Sequence, residues 1–396
     1  MIRNLKIQNF FSTNEIQNLS FVVDSNAPDN NGYFESSNGR ISKVNLVVGS
    51  NASGKTNILK SISFLRYILC HSFTSQPNAS LPFQQFFDSD NNSTLEVEFE
   101  IDTKIFTYFV EFNKTLIIKE NLKINELIKT RRTTKKLFER KYDLKSKKYS
   151  YIDNGFDSAN SFSGTNSVLD RKNASLISIG TQFAHPLSVL ISNYWNTILI
   201  NIHEKGYIGQ NPFELANALV DFHFNPESKL QVEKMLKKLD LGFESIELDL
   251  VEENGNLVFN SVKETHNFSG KICKNDIEYS SNGTKKLVSI IRSIIFGIKF
   301  NVPVIIDELE AFLHPELQNA IIDLFFDEEV KCQIIFTSHS HSIMNRLDKQ
   351  QIFLCEKSRK NGQSEVFRLD EIAEVRSGEN YYNKYIAGAY GAIPRI

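Results

Sequence analysis

The apolar positions of the chain follow two periods. Continuous apolar runs occur at VNLVV (Val44–Val48), at VPVII ahead of Asp307, at QIIF ahead of Thr337 and at QIFLC ahead of Glu356. Short runs of this kind are expected of strands covered on both faces. Helical spacing separates them. NILKSISFLRYIL places Ile58, Leu59, Ile62, Leu65, Ile68 and Leu69 along one side of a helix. TKKLVSIIRSIIFGIKF has the same period, and PELQNAIIDLFF opens a helix at Pro315. Strands alternating with helices predict an α/β fold with a mainly parallel core sheet.

Elsewhere the period is two. Ile2, Leu5 and Ile7, then LSFVV (Leu19–Val23), read as strands, and the polar stretch Asp24–Arg40 reads as a loop. LEVEFEI (Leu95–Ile101) and KIFTYFVEF (Lys104–Phe112) alternate on either side of Asp102-Thr103, which predicts a hairpin in an antiparallel β subdomain. From about Asn125 to Asn267 the chain changes in kind. A charged stretch and the Ser/Asn-rich SANSFSGTNS precede helical patterns such as PESKLQVEKMLKKLDLG, opened by Pro226 and closed by Gly242. The expected organisation is an N-terminal lobe over 1–125, an inserted, mostly helical and basic region over 126–265, and a C-terminal lobe over 266–396. No heptad pattern is sustained, so no long coiled-coil arm is expected.

Composition narrows the class without naming it. With 396 residues, 41% apolar and 23% charged, the chain fits one large or two ordinary globular domains. A net charge of -2 implies no global attraction to nucleic acid or membrane. Cys70, Cys273, Cys332 and Cys355 form no CxxC pair, which argues against a zinc site or disulfide framework. The first residues hold no apolar signal core and no run approaches a membrane span, so a cytoplasmic location is expected.

The chemistry lies at the ends of the apolar runs. Gly49, Ser50, Asn51, Ala52, Ser53, Gly54, Lys55 and Thr56 spell G-x-x-x-x-G-K-[ST] between a strand and a helix, followed by Asn57. Successive backbone N–H groups at a helix N-terminus cradle phosphate oxygens. Lys55 reaches the outer phosphates, and the Thr56 hydroxyl can ligate Mg²⁺. Asp307 ends an apolar strand, at the sheet edge where the phosphate loop also emerges, and can hold the metal shell. Glu308 follows and is free to polarise an attacking water. His339 ends the next strand and could contact the terminal phosphate; His341, two residues on, could compete for that role. Ser281 and Gly283, in YSSNGTKK, stand at the entrance of a helix, as an anion-binding turn or a plain N-cap.

In this order, the Gly-rich loop, the Ser/Gly turn, IIDE and TSH resemble the ABC-type ATPases of the SMC-like branch. That resemblance implies two heads dimerised head to tail, with Ser281 and Gly283 capping the terminal phosphate held by the other head. It also implies ATP and Mg²⁺ as cofactors, Thr56 and Asp307 as metal ligands, Glu308 as general base and His339 as switch histidine. KIQNFFS, LPFQQFF with the hairpin after it, DELEAFLHPEL and the closing YIAGAYGAIP look like the AAA-family ATPases related to overcoming-lysogenization-defect and abortive-infection proteins. The likeness covers about residues 1–125 and 265–396. There are departures. Asn282 and Thr284 stand where the ABC signature has Gly and Gln, Phe11 stands where a basic residue is usual, and Gln84 and Gln85 are both candidates for the Q-loop glutamine.

Two further features bear on partners. Residues 130–151 hold nine Lys/Arg against two Asp/Glu, with Phe138, Tyr142, Tyr149 and Tyr151 interleaved. Such a block can grip nucleic acid and stack bases, or be a solvated hairpin with a basic turn, or face a protein partner. About twenty residues follow Arg376. No zinc pair or carboxylate constellation stands outside the ATPase motifs, so the expectation is a motor or switch without its own effector. Three functions follow: an ATPase that controls a separately encoded effector, expected to be a nuclease, in phage defence; a DNA-repair clamp of recombination-mediator or SMC type; and a nucleotide-sensing scaffold with little turnover.

Overall fold

The computed structural model describes the chain except residues 88, 129–130, 157–165, 205, 208–211, 240–241, 254–255, 312 and 393–396. Most of SANSFSGTNS, Thr130 and the last residues of YIAGAYGAIP therefore lie outside the described residues. Five strands pair in parallel in the order Leu199–Ile200, Val304–Ile306, Ile334–Thr337, Val44–Val48 and Ile352–Lys357. Ser364–Arg368 adds an antiparallel edge. The continuous apolar runs arise because each strand feeds two cores. Val44, Leu46, Val48, Val304, Ile306, Ile334 and Phe336 face one cluster. Val47, Ile305, Ile335 and Phe353 face the other. A strand with no polar face needs no polar alternation.

The first cluster is closed by the helices Pro226–Leu239, Asn282–Phe300 and Pro315–Asp323. The second is closed by the helix Lys55–Arg66 and a seven-stranded antiparallel sheet. In that sheet Ser93–Ile101 and Lys104–Phe112 form the expected hairpin, with Asp102 left-handed (φ 55°) in the turn. An irregularity between Ile2 and Asn4 lets Ile2, Leu5 and Ile7 all face inward despite their uneven spacing.

Three expectations need correction. Asp24–Arg40 is not all loop: Tyr33–Ser36 pairs with Gly39–Ser42, because Tyr33, Phe34 and Ile41 bury their side chains. Among the described residues of 126–265 strands and helices share the chain about evenly, so the region is not mostly helical. Nor is it separate from the lobes. Strand Ile117–Ile128 crosses the expected 125/126 boundary, Asn256–Phe268 crosses 265/266, and Leu199–Ile200 is an edge strand of the core sheet. The basic block itself is the last hairpin of the antiparallel sheet, Arg131–Asp143 with Lys148–Asp153, turning at Leu144–Lys147.

A buried ion pair ties that hairpin down. Arg140 and Glu120 are both fully buried and meet at 2.6 Å. Tyr108 donates its hydroxyl to Glu120 at 2.6 Å, and the Leu176 N–H donates to the other oxygen at 2.8 Å. Arg140 also donates to the carbonyls of Leu169 and Ala174. Burial opposes the Arg140 charge, yet Glu120 and the tyrosines Tyr149 and Tyr151 hold its pKa above the ordinary arginine value. Removing one partner of such a pair strands the other in the interior. Glu120→Ala is therefore expected to lower the unfolding free energy by about 3–5 kcal/mol in denaturant titration.

Candidate functional site

The phosphate loop leaves the middle of the parallel sheet. Gly54 precedes the helix Lys55–Arg66 in a left-handed conformation (φ 109°). A Cβ on Gly54 would lie 2.3 Å from Ser364 Oγ and 2.7 Å from Ser12 Oγ; one on Gly49 would lie 2.1 Å from the Cys355 carbonyl oxygen. Both positions require glycine for the loop to close this tightly. Ser364 donates to Ser12 at 2.8 Å and Asn57 donates to the same oxygen at 2.8 Å, so the N-terminal turn and the C-terminal hairpin brace the loop from outside.

Lys55 folds back over the loop. Its ammonium donates to the carbonyls of Gly49 (2.9 Å) and Ser50 (3.0 Å). Burial lowers its pKa from the ordinary lysine value, partly offset by Cys355, Asp307 and nearby glutamates. The Thr56 hydroxyl donates to the Asp307 carboxylate at 2.9 Å. The Thr337 hydroxyl donates to Asp307 Oδ1 at 2.6 Å and accepts the Glu308 N–H at 2.8 Å. Asn201 grips the Asp307 peptide on both sides, accepting its N–H at 2.7 Å and donating to its carbonyl at 3.0 Å. Asp307 is thereby buried and fixed. Glu308 is left-handed (φ 53°), an unusual conformation for a residue with a side chain, and its carboxylate is exposed.

A cavity of about 590 Å³ is lined by Asn51–Asn57, Lys60, Glu308, Thr337, His339 and Lys357. It thus brings together the loop, Glu308 and His339, with Asp307 reached through Thr56. His339 is exposed and its N–H donates to Glu310 at 2.8 Å. His341 does not line this cavity; it packs 4.7 Å from the Tyr385 ring and, with Gly49–Ala52 and His339, lines an adjoining cavity of about 1050 Å³. Burial lowers its pKa, and the charges of His339 and Lys55 push the same way. Ser281 and Gly283 do not line this cavity. Ser281 is the N-cap of the helix Asn282–Phe300 and accepts the Thr284 N–H at 3.1 Å. Gln84 is exposed and Gln85 donates to the Asn91 carbonyl at 2.6 Å; neither lines the cavity.

Several site residues escaped the sequence reading. Thr337 is the Thr of TSH; since Ile306 pairs with Phe336, Thr337 stands opposite Asp307, a register that aligned strand ends could have suggested. Asn201 follows a two-residue strand with no motif to mark it. Lys60 lies one turn beyond Thr56 and sits 4.4 Å from the Phe11 ring centroid. Of the four aromatics of the basic block Phe138, Tyr142 and Tyr149 are buried and Tyr151 is exposed, as are Lys135, Lys141, Lys145, Lys147 and Lys148.

The fold and the site define a P-loop ATPase head of SMC-like type. The chain belongs to the family described as "AAA domain, putative AbiEii toxin, Type IV TA system", whose model matches residues 44–345. No curated protein matches it. The SMC head bound to the C-winged helix domain of ScpA shares its fold, with a TM-score of 0.51 and 15% identity over 94% of this chain and 99% of that one. The SMC head domain from Thermotoga maritima gives a TM-score of 0.43 at 13% identity, over 93% and 98%. An Smc head with an extended coiled coil, bound to the C-terminal domain of ScpA derived from Pyrococcus furiosus, gives 0.45 at 14%, over 93% and 97%. Among the described residues no helix is long and apolar enough to cross a membrane.

Thr337 gives a direct test of this geometry. Thr337→Val leaves the Glu308 N–H and one Asp307 oxygen without their partner. It is expected to cost about 1–3 kcal/mol in unfolding free energy, with Thr337→Ser close to wild type in the same denaturant titration.

Proposed function

We propose that the chain is an ATPase head that binds ATP with Mg²⁺, dimerises through its ATP sites and thereby controls a separately encoded effector in anti-phage defence. One observation carries the reading: Asp307 is held between the Thr56 and Thr337 hydroxyls while Glu308 emerges beside it into the cavity of the phosphate loop. The residues fit the cofactors. Ser53 Oγ is buried without a hydrogen-bond partner, and Gly49 and Gly54 let the loop pack where a Cβ would strike Cys355, Ser364 and Ser12. The Thr56 hydroxyl and Asp307 carboxylate are the all-oxygen donors that a hard cation takes.

Each side chain then has a defined task. Lys55, parked on two carbonyls, would exchange them for phosphate oxygens, recovering the charge–charge interaction its burial now opposes. Thr56 and Asp307 would hold Mg²⁺, with Thr337 and Asn201 keeping the carboxylate in place. Bound Mg²⁺·ATP supplies the anhydride to be cleaved and neutralises part of its charge. Glu308 would accept the proton of the attacking water. His339, exposed on the same cavity, would face the terminal phosphate.

The dimer and the effector are inferred from resemblance. Ser281 and Gly283 cap a helix outside the cavity, which supports a contact with a second head's nucleotide rather than with their own. The family description, a toxin of a Type IV TA system, supports placing the cycle in defence or toxin–antitoxin control. A nuclease is the effector class proposed. Nucleic-acid binding through the basic hairpin is the weaker reading, because three of its four aromatics are interior.

Glu308→Gln tests the proposal. The variant is expected to bind ATP, to lose turnover by about 10²-fold or more, and to accumulate as an ATP-bound dimer in size-exclusion chromatography. Unchanged turnover would remove Glu308 as the base. A wild-type protein that binds ATP and never hydrolyses it would favour the scaffold reading.

A further inference from the structure

The closing YIAGAYGAIP run has no task in the cycle above, yet it touches the phosphate loop. After the short helix Tyr381–Ile386 the chain turns back, and the Ala392 carbonyl accepts the Ser50 N–H at 3.2 Å. The same carbonyl accepts the Tyr385 hydroxyl at 2.8 Å. The Ala392 N–H donates to Glu356 Oε2 at 3.2 Å, at the end of the core strand beside the loop. Tyr385 and Ala392 are both only 1% exposed, so these bonds form in a setting that water does not compete for.

The contact continues to the functional lysine. The Ser50 carbonyl, on the residue whose N–H meets Ala392, accepts the Lys55 ammonium at 3.0 Å and the Ser53 N–H at 3.2 Å. A run of hydrogen bonds thus leads from the Tyr385 hydroxyl through Ala392 and Ser50 to Lys55. The segment is also fastened to the stretch after His339. The Tyr385 ring packs on His341, the Tyr382 N–H donates to Asn345 at 3.0 Å, and Asn345 donates to Asn380 at 3.1 Å. His341 Nε2 is buried with no hydrogen-bond partner among the described residues, so the ring is held by packing on Tyr385 and not by a bond of that nitrogen.

We infer that the segment 380–392 is a positioning strap for the nucleotide site, with Tyr385 as its key residue. It sets the Ser50 peptide, and through it the rest position of Lys55, and it links the loop to the histidine-bearing stretch. This inference rests on the ATP-site reading for its functional consequence and on the hydrogen bonds alone for the restraint. Tyr385 lines the cavity beside Gly49–Ala52 with its ring, and its hydroxyl acts through Ala392 and Ser50. The strap predicts a loss of affinity with chemistry intact, because Glu308 and Asp307 are held by Thr337 and Asn201 from the other side of the loop.

Two readouts decide it. Hydrogen exchange of the amides in residues 49–53 reports the restraint without nucleotide, and titration with a fluorescent ATP analogue together with turnover reports its consequence. Tyr385→Phe keeps the ring on His341 and removes only the hydroxyl. It is expected to speed exchange at Ser50 and to weaken ATP binding, each by about three- to tenfold, with kcat at saturating ATP within about twofold of wild type. Glu356→Gln retains an acceptor for the Ala392 N–H and should behave as wild type, whereas Glu356→Ala should resemble Tyr385→Phe. Unchanged exchange in Tyr385→Phe overturns the restraint. Faster exchange with unchanged affinity overturns the positioning role. A wild-type protein that binds no ATP refutes the function proposed above, and the exchange comparison then still decides whether the strap holds the loop.

Discussion

The arrangement of the site depends on where one carboxylate is held. Asp307 is buried at the end of an apolar strand, an expensive place for a charge unless its hydrogen bonds are supplied. The carboxylate takes them from Thr56 on the helix after the phosphate loop and Thr337 on the adjacent strand, while Asn201, just after the edge strand, holds the Asp307 backbone. Parallel pairing makes this possible, because it brings the carboxyl ends of neighbouring strands to one edge. The same bonds fix the backbone that turns Glu308 outward in a left-handed conformation. Asp307 and Glu308 are thus set by one local network.

Around that network the molecule is built from two cores that share a sheet. Alternate residues of each central strand face opposite clusters, so the sheet cannot shift register without exchanging both. The antiparallel sheet covers one face, and the buried Arg140–Glu120 pair anchors its last hairpin to the segment around Leu176. This is why a stretch with nine basic residues is not a free arm: one of its cations is interior and its aromatics mostly pack inward.

Much of this was legible in the sequence. The phosphate loop, the apolar strands and the Lys104–Phe112 hairpin announce themselves through spacing that only their own geometry explains. Asp307 and Glu308 were found because they end an apolar run, a strand-end position that spacing alone marks. What spacing could not show was partnership across the sheet. Asn201 and Thr337 act through the order of the strands, which sets positions 307, 337 and 201 side by side although they are far apart in the chain. Tyr33–Ser36 escapes the sequence for a related reason: it is a short strand stabilised by long-range pairing, which local composition does not record, whereas the basic block does form the solvated hairpin that its sequence allows.

The central claim is that Thr56 and Asp307 form the metal half of a nucleotide site. Calorimetric titration of ATP with Mg²⁺ present and with the metal chelated tests it most directly, on wild type and Asp307→Asn. The account predicts affinity in wild type that drops on chelation, and an Asp307→Asn variant whose weaker affinity no longer responds to Mg²⁺. Equal affinity with and without Mg²⁺ in the wild type, or an undiminished Mg²⁺ response in Asp307→Asn, would contradict it.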